Sequence, residues 1–198
     1  MAVLSDRRRS DAWQFFRTWL KAPLQVAAYG PSSPALARAV AAAARPGRDG
    51  LVIELGAGTG ALTEALVEAG VTPERLVLLE SDVGFADLLR RRYPRARVIG
   101  GNAYGVVDIP GLGGAASIVS GLPLVQVPAE PRARFVIDCL TRLGRPGARF
   151  VQLTYMPSSP VPLSRLPGIG VEVSRTVWAN FPPARVWSYH LREDAGPS

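Results

Sequence analysis

From residue 51 onwards, apolar positions follow two rhythms that alternate. The run LVIEL is followed by ALTEALVEAG, whose apolar positions recur at helical spacing until Gly70 stops them. RLVLLE is followed by VGFADLLRRRY, a helical pattern that ends before Pro94, and then by the short run RVIG. ASIVSG, RARFVIDCLTRLG and RFVQLTY repeat strand, helix, strand. The tail breaks the rhythm: VEVSRTVWA and RVWSYHL, on either side of Pro182 and Pro183, predict an antiparallel pair. Upstream, residues 5–22 predict one helix, and an alanine-rich helix follows Pro34 and is ended by Pro46 and Gly47.

Strands that alternate with helices predict parallel pairing, with ligands at the carboxyl ends of the strands. The first such end carries ELGAGTGA, a turn that formally admits a nicotinamide or flavin nucleotide. Glycines suit either ligand, because the turn is tight and a ligand lies against its backbone. Glu54 decides between them. Two residues ahead of Gly56, its charge opposes the phosphates of a dinucleotide and suits the ammonium and sulfonium of S-adenosyl-L-methionine (SAM). Gly56, Ala57, Gly58 and Gly60 then lie against the cofactor. Glu80 closes the second strand, followed by Ser81, and is placed for the ribose hydroxyls. Asn102 and Ala103 are placed to bracket an adenine edge, and Ser120, closing the fourth strand, borders the same pocket. Ser32 and Ser33 sit between Pro31 and Pro34, where they suit the methionine carboxylate; a helix N-cap is the competing reading. The predicted fold is α/β: a Rossmann-like class I SAM-dependent methyltransferase with a seven-stranded, mostly parallel sheet and an antiparallel last strand.

Composition adds limits. The 198 residues suit one methyltransferase domain over 51–198, preceded by a helical lead-in over 23–50 that contributes to the cofactor pocket and by a helix over 1–22. Net charge is +7, with Lys21 the only lysine, which favours an anionic partner. Cys139 is the single cysteine and falls on an apolar helix face, so it predicts a buried thiol, no disulfide framework and no metal site. No secretory signal is legible, and the longest uncharged run, 109–129, holds three prolines and four glycines that bar a spanning helix. The expected location is cytoplasmic, peripheral on the inner face of the membrane.

In the first helix Ala12, Trp13, Phe15, Phe16, Trp19 and Leu20 share an arc of about 160°. Arg8 and Arg9 flank that arc. Aromatics on one side and cations around them describe a helix lying in a bilayer interface, where each basic residue near an anionic leaflet contributes roughly 1 kcal/mol. A lid packed on its own domain is the alternative. SGLPL, Ser120 to Leu124, stands where amine-directed methyltransferases carry a turn that touches the acceptor nitrogen. Enzymes acting on bases start this turn with Asn or Asp and end it with an aromatic that stacks on the flipped base. Ser120 and Leu124 take those places here, which lowers the nucleic-acid reading.

The stretches WLKAPLQVAAYGPSSPALARAVA, VIELGAGTGALTEALVEAGV, SGLPL, FVQLTYMPSSPVP and VWANFPPARVWSYH resemble the bacterial phospholipid N-methyltransferases. That family is itself similar to the rRNA adenine dimethylases. The resemblance implies methylation of phosphatidylethanolamine, and of its mono- and dimethyl forms, to phosphatidylcholine, with S-adenosyl-L-homocysteine as the second product. Under this reading the carbonyls of Gly121 and Leu122 hold the amine, and Tyr29 and Tyr155 line its pocket. Lys21 and Arg185 meet the lipid phosphate. The expected partners are the lipid and an anionic membrane surface, with no nucleic acid, and the protein is a monomer in solution. An RNA adenine-N6 methyltransferase and a non-catalytic SAM-fold membrane module remain the alternatives.

Overall fold

Uninterrupted apolar runs make strands buried on both faces, and the sheet shows it. In the computed structural model, which describes residues 33–156, 158–179 and 183–192, every residue of β2 (Leu76–Glu80) and of β4 (Ala115–Ser120) is buried. With β1 (Leu51–Leu55), β3 (Arg97–Gly100), β5 (Gly144–Thr154), β6 (Ile169–Val173) and β7 (Arg185–Leu191) they form one seven-stranded sheet in the order β3-β2-β1-β4-β5-β7-β6. The pairs from β3 through β5 are parallel, and β7 runs antiparallel to both β5 and β6. Residues 32–198 form one compact unit.

Side chains alternate across the sheet and build two cores. Val52, Leu76, Leu78, Val119, Val151 and Val186 pack under α1 (Pro34–Ala44), α2 (Ala61–Glu68) and α3 (Val83–Arg92). Ile53, Leu55, Leu79, Ile118, Phe150 and Tyr189 pack against α4 (Ala129–Asp138) and the segment that follows it. Cys139 is buried there with its thiol pKa pushed up by desolvation, as befits a packing residue. Ser33 caps α1, its hydroxyl accepting the Leu36 N–H at 3.2 Å.

Three boundaries differ from the sequence reading. The helix expected over RARFVIDCLTRLG is α-helical only to Asp138 and widens to a π-type turn over Cys139–Leu143. β5 starts five residues earlier than RFVQLTY, because Gly144 already pairs with Ala115 across a bulge. At Gly144 a Cβ would meet the Leu140 carbonyl at 2.6 Å, so the helix-to-strand reversal needs glycine. β6 ends at Val173: the Ser174 N–H still donates to the Val186 carbonyl at 2.8 Å, but the Val186 N–H turns to the Ser174 hydroxyl at 3.0 Å.

Candidate active site

Strand order reverses direction between β1 and β4, and the site lies at their carboxyl ends. Gly56, Gly58 and Gly60 all hold positive φ, of 74°, 54° and 87°. The Gly56 N–H donates to the Leu79 carbonyl at 2.9 Å, pinning the turn over β2. A Cβ on Gly58 would meet nothing within 4 Å, leaving bare backbone open to a ligand. On the other side, Gly121 approaches so closely that its Cβ would lie 2.8 Å from the Gly56 carbonyl oxygen.

Glu54 is fully buried. Thr63, on the first turn of α2, donates its hydroxyl to Oε2 at 2.6 Å, whereas Oε1 has no partner. Burial pushes the carboxyl pKa up to about 8, against the opposing pull of the Thr63 hydrogen bonds. An orphaned carboxylate oxygen at a strand end, beside open glycine backbone, fits a ligand that brings an ammonium. Glu80 is also buried, but both its oxygens are engaged. Oε2 accepts the Gly58 N–H at 2.7 Å; Oε1 accepts the Asp82 N–H at 2.8 Å and the Ser81 hydroxyl at 3.4 Å. Glu80 thus ties the glycine turn to the start of α3, a tethering role the sequence reading missed. Asn102 Oδ1 accepts the Tyr104 N–H at 3.0 Å, fixing the turn that leads to buried Ala103. Ala57 is buried against the α1–α3 core.

The turn after β4 is held from several sides. Ser120 is buried, and its hydroxyl accepts the Leu122 N–H at 3.3 Å. The Gly121 N–H donates to Leu55 O at 2.8 Å, and Gly121 itself is exposed. The Leu122 carbonyl accepts both the Leu124 N–H and Gln152 Nε2, each at 2.9 Å. Its two lone pairs are taken, so it has none left for an acceptor amine. Leu124 is buried, and its own carbonyl accepts from the Arg132 guanidinium at 3.3 Å.

Tyr155 packs against the α1–α3 core with Leu153 and Val177, on the opposite sheet face from Gln152. Arg185 pairs in register with Thr154 and donates Nε to the Thr176 hydroxyl at 3.0 Å, placing it at the carboxyl edge of β5. Ser33 shows the cap geometry. Arg8, Arg9, Trp13, Phe16, Trp19, Leu20, Lys21, Tyr29 and Ser32 lie outside the described residues. Thr63, Gln152, Arg132 and Trp187 were missed by sequence reasoning. Only Gln152 left a signal, as a lone amide inside the apolar run RFVQLTY. Among the described residues, no group of His, Cys, Asp or Glu could hold a metal ion, and no helix is long and apolar enough to cross a membrane.

This sheet order, with the glycine turn and two strand-end carboxylates at the switch point, defines a class I SAM-dependent methyltransferase. Among solved structures, a TehB-like SAM-dependent methyltransferase from Corynebacterium glutamicum shares the fold at TM-score 0.56 and 16% identity, covering 93% of this chain and all (100%) of that one. No family model matches the sequence. The ornithine lipid N-methyltransferase of Singulisphaera acidiphila is 33% identical over 153 residues, 74% of this chain and 79% of that protein. The chain belongs to the methyltransferase family of that lipid enzyme. A shorter match, 51% identical over 47 residues, links it to ribosomal RNA small subunit methyltransferase A of Maridesulfovibrio salexigens, covering 24% of this chain and 17% of that protein.

Proposed function

We propose that the protein methylates the amine of phosphatidylethanolamine, and of its mono- and dimethyl forms, at an anionic membrane surface. The observation that carries this reading is the acceptor turn. Residues 121–124 contain no aromatic ring to stack on a base, and Leu124, at the position such a ring would occupy, is buried in the core. The relative aligned over most of both chains is named for a lipid amine, whereas two ribosomal RNA relatives match 24% and 43% of this chain.

When bound, SAM supplies an electrophilic methyl group on a sulfonium. Glu54 offers Oε1 to the ammonium of the cofactor, and the Gly58 backbone lies against it, with the turn kept in place by Glu80. The lipid amine is an ammonium in water and attacks only after a proton leaves for solvent. For the unmethylated and monomethylated amines, the Gly121 carbonyl accepts a remaining N–H and turns the lone pair towards the methyl group; the dimethylated amine, left with no N–H, is held by fit alone. Alignment of this kind contributes about 7–11 kcal/mol in favourable systems. Arg185, in register with Thr154 at the end of β5, is the candidate to meet the lipid phosphate.

The test uses methyl-labelled SAM with phosphatidylethanolamine vesicles, ornithine lipid vesicles or total RNA. Label in phosphatidylethanolamine is the expected result. Label confined to RNA overturns the lipid reading, and label confined to ornithine lipid replaces the substrate.

A further inference from the structure

Under the acceptor turn, three polar atoms are buried without any partner: Gln152 Oε1, Trp187 Nε1 and Arg132 Nε. They are structurally linked. Gln152 and Trp187 are direct cross-strand partners on β5 and β7, and Gln152 and Arg132 bond carbonyls of the same turn, at Leu122 and Leu124. Gln152 is 3% exposed and Trp187 9% exposed, so each is held in a set position. Gln152 cannot flip to relieve its orphan, because its Nε2 already donates to two carbonyl oxygens, Leu122 O and Leu153 O, each at 2.9 Å. Its Oε1 therefore points away from both, as an acceptor with nothing to accept.

Buried polar groups left unpaired are costly, and native proteins hold few of them. One occupant able to meet all three beside this turn would remove that cost. Its chemistry can be read from theirs. Oε1 requires an N–H or O–H donor; Trp187 Nε1–H and Arg132 Nε–H require acceptors. Arg132 forms no ion pair among the described residues, and the ionisable groups acting on it are the phenols of Tyr104 and Tyr189. A guanidinium partly shielded from water without a carboxylate beside it calls for an anion. Arg132 is only half-buried, so the cluster meets solvent at that point.

Resting on the amine-lipid reading above, we propose that Gln152, Trp187 and Arg132 seat a zwitterionic headgroup. Gln152 Oε1 accepts an N–H of the acceptor amine, while Trp187 Nε1–H and the Arg132 guanidinium hold its anionic oxygens. Two headgroups share this chemistry: an amine with a phosphodiester, as in phosphatidylethanolamine, and an amine with a carboxylate, as in ornithine lipid.

The experiment measures kcat and KM of the full chain with SAM in neutral detergent micelles. Three acceptors are compared: phosphatidylethanolamine, ornithine lipid, and a long-chain primary alkylamine that lacks any anionic group. The wild type is expected to favour at least one zwitterion over the alkylamine by about tenfold or more in kcat/KM. Arg132→Gln should raise KM for that zwitterion about tenfold, as loss of a charge-assisted contact does, and change the alkylamine constants much less. Arg132→Lys should recover part of the loss, and Trp187→Phe should raise KM in the same selective way. The zwitterion whose KM responds more identifies the anion. Calorimetry with S-adenosyl-L-homocysteine verifies that each variant keeps a folded cofactor site. Equal losses on all three acceptors would mean a structural role and overturn the proposal; so would unchanged constants, the sign of ordered water only. A wild type that methylates none of the three amines, yet labels total RNA in a parallel assay, sinks the parent reading instead. A wild type active on lipid whose Arg132 variant shows no selectivity sinks this inference alone.

Discussion

Glu54 concentrates the chemistry of the cofactor side in one carboxyl group. Its ordinary value of 4.5 is pushed to about 8 by burial. The folded value lies above the unfolded one, so folding takes up a proton between them. Stability contributed this way is full below about 4.5 and is lost as pH rises through about 8. Melting temperature of the cofactor-free protein should therefore fall from pH 5 to pH 8, and Glu54→Gln should flatten that slope. An incoming ammonium favours the ionised carboxyl, so cofactor binding releases a proton near pH 7 and tightens as pH approaches 8. Calorimetry in two buffers of different ionisation heat measures that release directly. Glu54→Gln should lose the release and weaken S-adenosyl-L-homocysteine binding by roughly 10- to 100-fold, the usual loss for a hydrogen bond to a charged group. Affinity unchanged in the variant would remove Glu54 from the cofactor site.

Between elements, the decisive contact is turn against turn. Gly121→Ala places a methyl group 2.8 Å from the Gly56 carbonyl oxygen and should cost about 1–3 kcal/mol, as overpacking does. Activity should fall further than stability, since the same turn presents the Gly121 carbonyl. Gly105→Ala, where a Cβ meets nothing within 4 Å, is the matched control and should change stability by less than about 1 kcal/mol. The strands were legible because burial on both faces writes continuous apolar runs, as in LVIEL and RLVLLE. The first five residues of β5, GRPGA, were not, because only pairing with β4 makes a strand of a segment holding two glycines and a proline. The site divided in the same way. Glu54 and Glu80 stood out as acids ending apolar strands within one continuous stretch. Gln152, Trp187 and Arg132 come together only through an antiparallel pairing and a helix-to-turn contact, neither of which leaves a local pattern. Glu80 was expected to serve the ribose hydroxyls, and its tether to the Gly58 N–H depends on backbone geometry that sequence does not display.

For the molecule as a whole, recruitment and catalysis should be separable. The aromatic arc of the first helix, inferred from the sequence pattern, gives Phe16→Ala combined with Trp19→Ala a specific expectation. Co-sedimentation with anionic vesicles should drop, and should also weaken as salt is raised, while S-adenosyl-L-homocysteine affinity stays the same. Sedimentation unaffected by the double substitution would favour a lid. One further consequence concerns the order in which the molecule comes into being. β7 lies between β5 and β6, so β6 has no place in the sheet until β7, the last strand among the described residues, has been made. On the ribosome, β1 to β3 emerge while Trp187, a member of the headgroup seat proposed above, is still untranslated. The glycine turn and its two carboxylates are therefore synthesised well before the strand that fills the gap between β5 and β6.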